Sequence, residues 1–175
     1  MKVNPKILAS VTFLTTVFLI GMFYFINSKQ LEQEPSDQSQ QATTSSENVD
    51  YKASFAIYTN GTFRIFTDPK YHNLSEDVYI DSSNPNIVNV KKANTTWDDF
   101  FKTLPMKLEK ECLTTGTGQV FCSNQTYAMQ FFINGVADKD ALNKQINPGD
   151  KLLITYESEK SSRITNQLES VPNPN

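Results

Sequence analysis

The run Ile7–Ile26, ILASVTFLTTVFLIGMFYFI, carries no charged side chain. It constrains the rest of the chain more than any other feature. About 20 predominantly apolar residues are the length at which a helix crosses a hydrocarbon core. A buried core helix is a poor alternative, because the run has no polar face and is followed by a polar linker. A cleaved signal peptide would have a shorter apolar region and a small-x-small cleavage site; no such site follows Ile26, and no cysteine there could carry a lipid. Lys2 and Lys6 precede the run, so the positive-inside tendency keeps the N-terminus cytoplasmic and puts everything after residue 27 outside. The expectation is a single-pass membrane protein with a signal-anchor at residues 1–26, meeting the lipid bilayer through residues 7–26.

Residues 27–50, NSKQLEQEPSDQSQQATTSSENVD, hold one Leu and one Val among Gln, Ser, Thr and acidic residues. Such a segment buries too little apolar surface to offset its ordering entropy, and it reads as a disordered polar stalk. The extracytoplasmic globular domain is therefore expected at residues 51–175. The chain of 175 residues has a net charge of −3, and five acidic residues (Glu32, Glu34, Asp37, Glu47, Asp50) fall in the stalk. The domain itself is close to neutral, which argues against a nucleic-acid partner.

Within the domain, YKASFAIYT and TFRIFTD flank an Asn-Gly pair, the strongest short hairpin signal. A two-residue loop sets Tyr58 opposite Phe63, Ala56 opposite Ile65 and Phe55 opposite Phe66. Both faces of this hairpin are apolar, so both should be covered. DVYIDS and NIVNVKKA read as two further short strands. In NTTWDDFFKTLP, Trp97, Phe100, Phe101 and Leu104 recur at i, i+3, i+4 and i+7, one apolar face of a helix. Thr95 or Thr96 caps it, Asp98 and Asp99 suit its first turn, and Pro105 ends it. Later come QVFCSN, TYAMQFFI, a second Asn-Gly, Pro148-Gly149-Asp150 and the strand KLLITYE. The closing segment spaces Ile164, Leu168 and Val171 for a short helix. One main helix packed across a mixed sheet defines an α+β class and resembles the β-grasp (ubiquitin-like) architecture.

Cys112 and Cys122 are placed symmetrically about Gly116-Thr117-Gly118. If that triplet is a three-residue loop, 115 pairs with 119 and 112 lies opposite 122, close enough for a structural disulfide in an oxidising compartment. The spacing is not Cys-x-x-Cys, so a redox-active pair is the weaker reading. Asn-x-Ser/Thr sequons at Asn60, Asn73, Asn94 and Asn124 make possible glycosylation sites, and Asn60 also suits a turn needing φ > 0. The single histidine, His72, lies in a polar stretch and reads as an exposed loop residue. One histidine cannot build a His-based metal cluster, Asp138-Lys139-Asp140 lacks the glycine and distal glutamate of a calcium loop, and no phosphate loop is present. No catalytic residue, cofactor or metal ligand is expected.

The motifs TTWDDFF, CLTTGTGQVFC, FFING and GDKLLITYE, in this order, resemble an uncharacterised family of single-span exported prokaryotic proteins over residues 51–175. Members of that family carry histidines on the early strands, which the resemblance implies to be transition-metal ligands. Here those strands read YKASFAI, DVYIDS and NIVNVKK, and Lys52, Tyr79 and Asn89 cannot replace a histidine set. The late Asn-Gly and Gly-Asp-x-Leu pattern is also similar to that of β-grasp sulfur carriers. Those carriers act through a C-terminal Gly-Gly, whereas this chain ends Pro-Asn-Pro-Asn. A cobalamin-capturing β-grasp domain shares the same turns and stays open. The leading expectation is a membrane-anchored, non-enzymatic binding or interaction module facing an unknown partner outside the cell. The alternative is an extracytoplasmic thiol-disulfide or metal-handling protein.

Overall fold

The computed structural model describes residues 47–174. The expected anchor at 1–26, and the stalk at 27–50 as far as residue 46, lie outside the described residues. Among the described residues no helix is long and apolar enough to cross a membrane.

Strand β1 (Asn48–Thr59) begins three residues before the expected domain boundary at Tyr51. The boundary therefore moves into what was read as stalk. Asn48 pairs with Lys92, the Ala93 amide donates to the Glu47 carbonyl at 2.9 Å, and Asp50 meets Lys91 at 2.6 Å. Backbone pairing recruits polar residues that an apolar pattern does not flag.

Asn60 and Gly61 turn the chain with φ of 51° and 77°, the double positive φ of a two-residue hairpin loop, into β2 (Thr62–Phe63). The register is the expected one, Tyr58 opposite Phe63, but the ladder ends there. Strand β4 (Ile87–Lys92), which also pairs antiparallel with the short β3 (Val78–Tyr79), takes over that side of β1 from Ser54 backwards. The departing chain keeps one backbone bond, Arg64 amide to Ile57 carbonyl at 2.8 Å, and drops Phe66 against Phe55 with ring centroids 5.1 Å apart.

Helix α1 (Trp97–Thr103) starts on a complete capping box. The Thr96 amide and hydroxyl donate to the Asp99 carboxylate at 2.9 and 2.7 Å, and the Asp99 amide donates back to the Thr96 hydroxyl at 3.1 Å. Trp97, Phe100, Phe101 and Leu104 are all buried, as the periodicity requires. Thr96→Ala is expected to lower stability by about 1 kcal/mol in urea denaturation. The same bonds, the Thr96 amide foremost, hold the Asp99 carboxyl below the usual carboxylate range. A depressed carboxyl stabilises the fold above its unfolded pKa and loses that contribution as pH falls through its folded value. Asp99→Asn should accordingly flatten the acid limb of the stability profile below about pH 4.

The chain then forms a small antiparallel sheet from β5 (Lys107–Leu108), β6 (Cys112–Thr114) and β7 (Val120–Cys122). It returns to the main sheet as β8 (Ala128–Ile133), β9 (Val136–Ala137) and β10 (Lys151–Glu157), and ends with helix α2 (Arg163–Glu169). The main sheet runs β3-β4-β1-β10-β8-β9, with β2 alongside the end of β1. Strands β1 and β10 are parallel, Ser54 opposite Lys151 through Thr59 opposite Tyr156, and the other pairs are antiparallel.

Both faces of the sheet are covered. Phe55, Ile57, Leu152 and Ile154 join α1 and the small sheet in the main core. Ala56 and Leu153 point the other way, beneath Ile164, Leu168 and Val171 of the C-terminal segment. The Asn134-Gly135 and Pro148-Gly149-Asp150 turns are stitched together. Asn134 donates to the buried Asp150 carboxylate at 2.8 Å and accepts from the Lys151 amide at 2.9 Å. The residues of these two turns thus act as scaffold.

Candidate functional site

Cys112 and Cys122 are opposite each other in β6 and β7 and form a disulfide with Cα atoms 4.1 Å apart. The Thr115 amide donates to the Gln119 carbonyl at 2.8 Å, so the intervening loop has the register read from the sequence. The bridge fixes the base of a hairpin whose tip packs back on the domain. A Cβ on Gly116 would come within 2.5 Å of the Tyr71 hydroxyl and 2.9 Å of the Pro105 carbonyl. Only a residue without a side chain lets the tip sit this close. Replacing both cysteines by serine is expected to lower stability by about 2–3 kcal/mol, read by thermal or urea denaturation against the oxidised protein.

Between this tip and the chain leaving β2 runs a groove of about 270 Å³. Ile57, Phe66, Tyr71 and Leu113 contribute to its apolar lining, and Phe63 and Ile65 are exposed beside it, Ile65 at 66%. Val120 on the neighbouring β7 is 63% exposed. Among the described residues, Arg64 is the one charged side chain lining the groove. Its guanidinium donates to the Thr59 hydroxyl and to the Gln119 side chain at 3.2 Å, and it lies 4.9 Å from the centre of the Phe121 ring. Three flanking side chains thus hold the charge in place, and no carboxylate among the described residues lies within ion-pairing distance of it. Other concavities are lined by mixed charges. One of about 240 Å³ has Lys110, Glu111, Asp138 and Lys139 on its walls.

The remaining sequence-predicted positions are scattered. Asn60, Asn73 and Asn94 are exposed and sit at φ of 51°, 53° and 62°, so each of these sequons begins on a turn asparagine. Asn124 differs. Its side-chain oxygen accepts from the Thr126 and Tyr127 amides, and its nitrogen donates to the Tyr156 hydroxyl at 2.8 Å. His72 is half-buried rather than free in solvent, with Nε2 2.8 Å from the Phe66 carbonyl, because the 3-10 turn Pro69–Tyr71 folds it back. Lys52, Asn89 and Tyr79 form one row across β1, β4 and β3, Lys52 opposite Asn89 and Asn89 opposite Tyr79. Among the described residues no three His, Cys, Asp or Glu side chains converge as metal ligands would.

Sequence reasoning missed the groove. Its apolar residues come from segments about fifty positions apart, and no local pattern joins them. No protein family, curated protein or solved structure matches this chain.

Proposed function

We propose that this chain is a membrane-anchored, non-enzymatic binding module whose contact surface is the groove beside the disulfide hairpin. The observation that carries the reading is the pair Phe63 and Ile65, left exposed along an apolar trough beside a fixed arginine. Exposed apolar patches rimmed by polar groups mark interaction sites. The sheet topology supports the β-grasp reading, with its first and last strands parallel at the centre and α1 packed across one face. The uncharged run at residues 7–26 and the polar stalk supply the anchor and the display arm, with the domain outside the cell. The late motifs shared with the exported family accord with that placement.

The test is the double variant Ile65→Lys, Thr117→Lys in the full-length chain, both residues lining the groove. Both side chains are exposed, so folding should persist. Chemical cross-linking in intact cells should then lose the protein's partners. An unchanged set of adducts in the folded variant would remove the groove from the reading.

A further inference from the structure

We infer that the groove receives an extended segment of another protein, laid along the free side of β2 with a carboxylate on Arg64; this rests on the binding reading above. The first ground is the edge. Among the described residues, strand β2 has a neighbour, β1, on one side only, and the backbone on its other side can take one more strand. The ladder of β2 is only two residues long, which limits a strand added to it, but the run from Thr62 to Phe66 has no lysine or proline and offers exposed Phe63 and Ile65 and the single charge of Arg64.

The second ground is charge. Arg163 is paired with Glu157, whereas Arg64, the other arginine of the chain, is held by neutral partners and, among the described residues, has no acidic side chain lining its groove. A guanidinium fixed by hydrogen bonds and an aromatic ring keeps remaining donors for a carboxylate without further ordering of its side chain. The third ground is size. About 270 Å³ falls below the usual range for enclosing a small-molecule ligand, but it can take one or two apolar side chains of a longer strand. A second copy of this chain is the poorer occupant. Two β2 edges paired about a two-fold axis bring two Arg64 charges to one rim.

The experiment uses the full-length chain in the cells from which it comes, with Ile65 replaced by photo-activatable benzoyl-phenylalanine. Mass spectrometry then identifies the cross-linked peptide. The expected result is a hetero-adduct whose cross-linked peptide carries Asp, Glu or a C-terminal carboxylate within a few residues of the link. Adding Arg64→Met should reduce its yield about tenfold, the scale of a lost charge-assisted hydrogen bond. Arg64→Lys keeps the charge and should retain most of the yield, which separates loss of charge from disturbance of the hairpin. A hetero-adduct that is undiminished by Arg64→Met, or whose peptide lacks a carboxylate, overturns the inference and leaves the binding reading standing. An adduct with a second copy does the same. No adduct at all at Ile65 removes both.

Discussion

Phe55→Ala is expected to lower the stability of the domain by about 3–5 kcal/mol, the range for deleting a fully buried aromatic side chain. Phe55 is 0% exposed and sits in β1, and its ring meets Phe66, Phe100 and Phe101 edge-on at 5.1, 5.3 and 5.6 Å between centroids. It joins three pieces that share no local sequence: the central strand, the chain leaving β2, and α1. Strand β1 is held on both sides by β4 and β10, so the backbone cannot close the space, and the cavity should persist. Set against an ordinary domain stability of about 5–15 kcal/mol, the loss is a large fraction of the whole. Urea denaturation would show it as a lower midpoint at unchanged slope. Phe55→Leu, which refills part of the volume, should recover much of it. A loss under about 1 kcal/mol would mean that Phe66 and α1 repack freely and that this contact does not organise the core.

Arg163→Met is the second large effect, at about 2–3 kcal/mol. Glu157 is buried at the end of β10 and takes its ion pair from Arg163 at 2.7 Å. Removing one member of a buried pair typically costs about 3–5 kcal/mol; Arg163 is itself half exposed, so a smaller figure applies. The surrounding layer offers little compensation, because Thr155 Oγ1, Glu157 Oε2 and Gln167 Oε1 are buried without a partner among the described residues. The double variant Glu157→Leu, Arg163→Met should regain most of the loss, since it removes the stranded charge. If the double variant is no more stable than Arg163→Met, then Arg163 contributes through packing over the Asn60-Gly61 turn, where its side chain also lies.

Local chemistry was legible where it acts within a few residues. The Asn-Gly turns, a threonine cap just ahead of Trp97, the helix stripe from Trp97 to Leu104 and the disulfide register all follow from short-range rules, and the structure has each of them. The contents of the second face were less so. Ile164, Leu168 and Val171 predicted a helix and its apolar side, but nothing local says that Gln167 is buried or that Glu157 in KLLITYE points inward. Those facts depend on which element covers which strand. The early end of the first hairpin has the same origin, since β4 competes for β1 from about thirty residues away. The groove is the extreme case, an apolar surface assembled from two hairpins that need not have met.

The parallel pairing of β1 with β10 bears on the order in which the domain can be made. The middle of the sheet joins residues about a hundred positions apart, Ser54 with Lys151 and Thr59 with Tyr156. A chain synthesised from its N-terminus has its hairpins, α1 and the disulfide loop in hand well before β10 exists. Until then β1 has one empty flank, and the core lacks Leu152 and Ile154. Contacts of such long separation form late and slow the final step. Nascent chains ending before Lys151 should therefore stay protease-sensitive, and resistance should arrive in one step once Glu157 has emerged. If the domain is exported as proposed above, this timing has a use, because the domain stays loose enough to pass until its last strand is across.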